Sequence, residues 1–382
     1  MGTWIAAPVA ATMLADFGAD VIKVEPPGGD AYRRYPLSAA APKAAENYVW
    51  IVDARNKRSI SLDLRTPAGR DVLERLIRQC DIYITNQPFT TRRALRLNYE
   101  DIAPLNERMI YASLTAYGEE GPDIDGEGFD AVAWWARSGL MDLVRAPGAA
   151  PVWWVPGGGD HPTAVSLFAS ILMALIRRER TGKGGKVHTS LLANGIWANA
   201  IYAQAAISGA DFHDVWYPAP APSRTIYETA DGRYLQLYMV RTREAVDRLL
   251  LALDRTDLIA ADLLASPEGI GALVEELTVM FRSHEAAHWA ALFREHKVPA
   301  AVVARVEDLA DDPQTIVNGM LVPPVDPNVP VPLVVNHPLH VDGLATVGPT
   351  APPGIGEHAD QILAELGYNA AEIAAMREAG VV

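Results

Sequence analysis

A glycine run, Gly157-Gly158-Gly159, ends in a carboxylate, Asp160, at the head of an apolar stretch that closes with Arg177-Arg178-Glu179-Arg180. Glycines let a backbone come close to a ligand, and the free N–H groups and dipole of a helix start favour negative charge. A carboxylate held there has two uses. It can attack an activated acyl carbon as a nucleophile, or it can cap the helix by accepting from the first N–H groups. Residue types alone leave both readings open.

Other chemistry-bearing patterns resolve more simply. His284-Glu285-Ala286-Ala287-His288 matches the zinc-protease spacing, and Glu307 could supply a third ligand. The stretch follows Ser283, a good helix cap, and continues into Trp289, Leu292 and Phe293 at packing spacing, so a structural helix is expected and no metal. Thr181-Gly182-Lys183-Gly184-Gly185 lacks the earlier glycine and the hydroxyl residue of a phosphate loop, and reads as a helix-ending turn. Gly157 to Gly159 lack the following acidic residue of a dinucleotide fingerprint. Arg33, Arg65, Arg92 and Arg93 lie near predicted strand ends, where cations suit a phosphorylated ligand. Trp134, Trp135, Trp153 and Trp154 form two aromatic pairs for a core, an interface or the wall of an acyl pocket.

The elements that must position these residues alternate. Pro8 to Phe17 reads as a helix stopped by Gly18, and Asp20 to Glu25 as a strand followed by the Pro26-Pro27-Gly28-Gly29-Asp30 break. Ser59 to Leu64 is a second strand, and Thr66 caps a helix opened by Pro67. Asp81 to Thr85 and Met109 to Leu114 are further strands. This rhythm predicts a parallel sheet covered by helices, with ligands at the carboxyl ends of the strands near Glu25, Arg65 and Asn86. From about Tyr217 the texture changes to a hairpin turning at Asp231-Gly232, then helices from Arg243 to about Phe293. A proline-rich extended stretch, Pro323 to Pro353, leads to a helical tail from Gln361 to Gly380.

Composition narrows the class. With 382 residues the natural expectation is two domains. A net charge of −14 argues against nucleic acid, whose binding rests on clustered Lys and Arg. The single cysteine, Cys80, forms no internal disulfide and suits a reducing compartment as a buried thiol. The most apolar window, Ala164 to Ile176, is too short to span a bilayer, and no signal peptide is read. No membrane association and a cytoplasmic location are expected.

Residues 11–30, from Ala11-Thr12-Met13-Leu14-Ala15-Asp16-Phe17-Gly18 through Val24-Glu25-Pro26-Pro27-Gly28-Gly29-Asp30, resemble the opening of the class III CoA-transferases. That group includes formyl-CoA:oxalate and carnitine CoA-transferases and the 2-methylacyl-CoA racemases. The resemblance continues through Asn56-Lys57-Arg58-Ser59-Ile60-Ser61, Gly128-Phe129-Asp130, Ser138-Gly139-Leu140-Met141, Gly159-Asp160, Arg180-Thr181-Gly182-Lys183-Gly184, Gly356-Glu357-His358 and Leu363-Ala364-Glu365-Leu366-Gly367. It implies an α/β fold with a Rossmann-like large domain, residues 1–216 returning at 316–382, and a smaller α+β domain inserted at 217–315. It also implies an interlocked homodimer, the chain being its own partner.

The activity implied is an acyl-CoA:carboxylate CoA-transferase. Asp160 attacks the thioester to form an aspartyl anhydride, then carries CoA as an aspartyl thioester. Coenzyme A and its acyl thioesters are substrates, with a carboxylic acid as acceptor and no metal. For CoA the resemblance carries over to Arg33, Leu62, Arg65 and Asn86, with Arg92 or Arg93 standing in for an arginine expected at Ala94. It also implies a strand ahead of Gly2, which this sequence does not contain, and a glutamine in oxalate-type enzymes where Ile5 stands. Two alternatives remain: a racemase acting at C2 of a 2-methylacyl-CoA, which needs a histidine where Phe129 stands, and a non-catalytic CoA-binding protein.

Overall fold

The computed structural model describes residues 1–39, 41–153 and 155–382, and it divides into two units. One comprises Met1–Gly209 with Pro313–Val382, the other Ala210–Asp312.

In the larger unit, five short strands carry the frame: β1 (Ile22–Glu25), β2 (Arg58–Ser61), β3 (Ile82–Thr85), β4 (Ile110–Thr115) and β5 (Gly185–Ser190). All pair in parallel, as strands joined by helical crossovers do, but in two separate sheets. One is β1-β2, with Ile22 opposite Arg58. The other is β3-β4-β5, with Ile82 opposite Ile110 and Ile110 opposite Gly185. The second strand ends earlier than its alternation predicts. Leu62 still donates to Glu25, but Asp63 turns away to Val381 and Thr66 starts the next helix.

Helices follow their local chemistry. Thr66 accepts from the Gly69 N–H and Pro67 opens the helix Pro67–Gln79, whose Val72, Leu73 and Ile77 are buried. The alanine-rich helix Ala6–Asp16 is buried on most sides and is followed by Gly18 at φ 93°, a left-handed turn. Its small side chains let the long helix Asp160–Thr181 pack close, so that Ala7, Ala10 and Met13 share one core with Ala164, Leu167 and Ile171. That helix ends at Gly182, φ 72°.

The smaller unit has an antiparallel sheet of β6 (Ile226–Glu228), β7 (Tyr234–Leu237) and β8 (Ala300–Val302), in that order. Tyr227, Leu235, Leu249, Leu277, Phe281 and Trp289 form its core beneath the helices Arg243–Ala252, Pro267–Phe281 and Ala286–Glu295. The returning chain pairs β9 (Leu321–Val322) with β10 (Val334–Val335). It then lays helices Ala359–Glu365 and Ala370–Glu378 against the larger unit's second core, with Ile60, Leu62 and Leu73. No helix among the described residues is long and apolar enough to cross a membrane.

Candidate active site

The long helix opens on Asp160 itself. Gly159 occupies the cap position, and no side chain caps the helix, so capping is not what Asp160 does. Among the described residues nothing donates a hydrogen bond to its carboxylate, which is partly exposed. The turn before it needs its glycines. Gly157 sits at φ 85°, a region side chains avoid, and a Cβ on Gly159 would lie 2.6 Å from the Trp134 ring. Ile5 packs beneath, its methyl 3.6 Å from where a Gly157 Cβ would stand.

Three charged groups surround the turn. The buried Asp130 carboxylate accepts from the Gly159 N–H at 3.2 Å and from the Ala131 N–H at 2.8 Å, joining the glycine turn to the π-helical turn Ala131–Ala136. His161 Nδ1 lies 3.0 Å from the Gly157 carbonyl, and its Nε2 lies 3.1 Å from Asp53 Oδ1. The other oxygen of buried Asp53 accepts from the Tyr32 hydroxyl at 2.7 Å. Both ring nitrogens of His161 thus face acceptors, an arrangement only the doubly protonated imidazolium satisfies.

The acid–base consequences follow. Burial, then the neighbouring Asp130 charge, push the Asp160 carboxyl up to about 7; His161 pulls the other way and Asp53 adds a little. Burial alone lowers His161, but the Asp53 carboxylate prevails and the imidazole rises to about 9. Tyr32 is held far above its ordinary range by burial and Asp53, so it stays a neutral donor. The arrangement is a carboxylate with no donor of its own, poised to ionise near neutrality, beside a fixed cation. It suits nucleophilic attack on an acyl carbon.

A cavity of about 540 Å³ lies at the carboxyl ends of β1 and β2 and past β3. It gathers Leu62 and Arg65 from the predicted set, and adds Arg34, Leu64, Gln87 and Leu95. Arg65 is exposed and chelates Asp63 with two nitrogens, at 2.8 and 2.7 Å, holding that carboxyl down at about 2. The other predicted residues stand outside its walls. Arg33 binds buried Glu25 through two nitrogens and stacks 3.9 Å above Trp50. Asn86 exchanges two 2.8 Å hydrogen bonds with the backbone of Thr3. Arg92 is fully buried, donating to Gln87 O, Ser113 Oγ and Leu114 O, whereas Arg93 is exposed against Asp125. Of the aromatic residues, Trp134 stacks on Trp135, Trp153 is exposed, and Trp154 lies outside the described residues.

The zinc-like spacing is not carried on one helix. The helix begins at Ala286 with Glu285 at its cap position, so His284 and Glu285 precede it, and Ser283 donates to Met280 O instead of capping. His284 and His288 stack at 4.2 Å, and no three metal-ligating groups gather among the described residues.

Residue spacing also concealed much of the site. Asp53 is 108 residues from His161 and 21 from Tyr32. One signal was available: Asp53 closes an otherwise apolar stretch, Tyr48-Val49-Trp50-Ile51-Val52.

A sequence profile described as "CoA-transferase family III" matches residues 1–359. The chain belongs to that family. It is accordingly an enzyme of the class III CoA-transferases, whose substrates are CoA thioesters. It is 28% identical to (R)-2-hydroxy-4-methylpentanoate CoA-transferase of Clostridioides difficile, over 100% of this chain and 97% of that protein. It is 30% identical to cinnamoyl-CoA:phenyllactate CoA-transferase of Clostridium sporogenes, over 98% of this chain and 93% of the other. A solved CAIB/BAIF family protein from Brucella suis superimposes with a TM-score of 0.81 at 27% identity, covering 96% and 97% of the two chains.

Proposed function

We propose that this CoA-transferase moves CoA from an acyl-CoA to a free carboxylate through covalent intermediates on Asp160. The observation that carries the reading is the Asp160 carboxylate, without a hydrogen-bond donor among the described residues, at the first position of a long helix and beside the His161 cation. One carboxylate oxygen attacks the thioester carbon, the C–S bond breaks, and CoA thiolate leaves a mixed anhydride. Thiolate then attacks the Asp160 carbonyl carbon, releasing the donor acid and leaving an aspartyl-CoA thioester. The acceptor carboxylate attacks that thioester, forming a second anhydride as thiolate leaves. Attack of thiolate on the acceptor's acyl carbon restores Asp160. No net proton is exchanged, and each step trades one activated acyl group for another.

CoA is assigned to the cavity at the strand ends, with Arg65 and Arg34 toward its phosphates and Leu62 along its apolar length. Arg33, Asn86 and Arg92 would then shape the site from behind, and Arg93 would meet the ligand only by leaving Asp125. Phe129 stands where racemization needs a histidine, and its ring packs edge-on to Trp4 at 5.4 Å. With Ile5 beneath the glycine turn, this apolar surround favours bulky acyl groups, in keeping with the 4-methylpentanoate and phenyllactate named for two relatives. We read the architecture as a Rossmann-like domain with an inserted smaller one, assembled as an interlocked homodimer in the cytoplasm.

Intact-protein mass after mixing with acyl-CoAs of branched and aromatic 2-hydroxy acids tests the route. An adduct should form, map to Asp160 after hydroxylamine trapping, and vanish in Asp160→Asn. Turnover by Asp160→Asn at the wild-type rate would overturn it.

A further inference from the structure

Trp4 holds a backbone conformation that a bulky side chain avoids. Its φ is 57°, in the left-handed region where a Cβ crowds the following carbonyl. Such a conformation persists only where its surroundings over-determine it. Two polar side chains do so here. Asn86 exchanges two hydrogen bonds with the Thr3 backbone. One oxygen of buried Asp30 accepts from the Thr3 hydroxyl at 2.8 Å and from the Trp4 N–H at 3.3 Å. The other Asp30 oxygen takes Lys23 at 2.6 Å, which fixes the carboxylate in turn.

The strained residue stands between the two parts of the site. Thr3 and Asp30 line the cavity assigned to CoA. Ile5, one residue past Trp4, lies against the glycine turn that leads into Asp160. A thioester with its CoA in the cavity and its acyl carbon at Asp160 therefore runs past Trp4. There the ring joins two others. Phe129 meets it edge-on, centroids 5.4 Å apart at 83°, and Tyr32 lies 6.1 Å away at 52°. Both neighbours belong to the site. Phe129 precedes Asp130, which holds the Gly159 N–H, and the Tyr32 hydroxyl binds Asp53, the partner of His161. Trp4 is only partly buried and Phe129 is 54% exposed, so these rings have surface left for a guest. Contacts between rings depend on their charge distribution as well as their area, and so separate a planar aryl group from a saturated one of equal bulk. Lys23 is committed to Asp30 and His161 to Asp53, so neither is free to pair with a carboxylate on the acyl chain.

We propose that Trp4 is a specificity-determining residue of the acyl site, its ring forming with Phe129 and Tyr32 an aromatic wall that receives an aryl group carried on the acyl chain. The strained turn sets where that wall stands between CoA and the nucleophile. The proposal rests on the placing of CoA and of the acyl carbon argued above, and narrows the acyl class from bulky to aromatic.

The test uses thioethers of CoA, which have no acyl carbon for a nucleophile to attack. S-methyl-CoA, S-phenylpropyl-CoA and S-cyclohexylpropyl-CoA are titrated by calorimetry into the wild-type protein, Trp4→Gly and Phe129→Leu. Glycine suits a left-handed turn, so Trp4→Gly removes the ring and keeps the path of the chain. The wild type should bind the phenylpropyl ligand about fivefold more tightly than the cyclohexylpropyl one. Each variant should bring that ratio close to one and leave the affinity for S-methyl-CoA within about twofold of wild type. Equal wild-type affinities for the two larger ligands, or a ratio that survives Trp4→Gly, would refute the proposal. An unchanged ratio in Phe129→Leu would refute it as well, and that exposed position gives its answer even where Trp4→Gly does not fold. No thioether reacts, so failure to find an adduct on Asp160 would remove the covalent route and leave these ratios to decide the role of Trp4.

Discussion

Asp160 and His161 are adjacent in sequence and both titrate above their ordinary values, but for opposite reasons. Asp160 titrates near 7 in the folded chain, so its carboxylate, the nucleophilic form, is lost as pH falls below that value. The rate of adduct formation from a fixed acyl-CoA should therefore fall about tenfold for each unit below pH 6. The same shift costs stability on the alkaline side. Unfolded, the group ionises at an ordinary carboxylate value; folded, it resists ionisation until about 7, so stability declines as pH rises between the two. Asp160→Asn should consequently raise stability by about 2 kcal/mol at pH 8 and by little at pH 4, measured by thermal unfolding. His161 runs the other way in cause. Its imidazolium is favoured by Asp53, so that contribution is full below about 6.5 and is lost as pH passes 9. Half of the His161 side chain faces solvent, which screens the pair. His161→Gln keeps a donor but not the charge, and should shift the pH midpoint of adduct formation upward by removing the cation beside Asp160. An unchanged midpoint would show that the His161 charge does not act on Asp160.

At the scale of elements, the glycine turn is a packed joint. A methyl at Gly159 would meet the Trp134 ring at 2.6 Å, and Asp130 grips the Gly159 N–H, so the turn cannot retreat without breaking that bond. Gly159→Ala should cost about 1–3 kcal/mol and lower kcat more than it raises KM, because the displaced group is the nucleophile and the CoA cavity lies elsewhere. Steady-state kinetics with folded variant separates the two effects. This joint also marks how far the sequence could be read. The Pro67–Gln79 helix was legible to its cap because Thr66 and Pro67 act locally. β5 was not, because Gly185-Lys186-Val187-His188-Thr189-Ser190 has no apolar alternation and owes its ladder to β4. Asp160 could be singled out as a candidate from the glycines before it, whereas Asp53 and Tyr32 come beside His161 only through tertiary contact. The arginines show the same limit: its position past a predicted strand put Arg92 among the strand-end cations, but a buried guanidinium needs acceptors, and the backbone at Gln87 and Leu114 supplies them.

At the scale of the molecule, the larger unit keeps an apolar surface that its own chain does not cover. Trp197, Ile201 and Ile207 on the helices Leu191–Ala198 and Ala200–Ile207 are each at least 80% exposed, and Met173 on the long helix is 66% exposed. Single exposed apolar residues are ordinary, but three this large on consecutive helices mark a surface that water penalises. The proposed homodimer would cover it. Sedimentation of the wild-type protein should give twice the chain mass of 41.3 kDa. Trp197→Asp combined with Ile201→Asp should shift the mass toward one chain, because burying two unpaired carboxylates costs more than the contact returns. If assembly completes the acyl site, adduct formation should fall with dimer content across a dilution series of that variant. A double variant that sediments as wild type would place the interface on another face. A monomer that still forms the adduct at the wild-type rate would show that one chain holds everything the first chemical step requires.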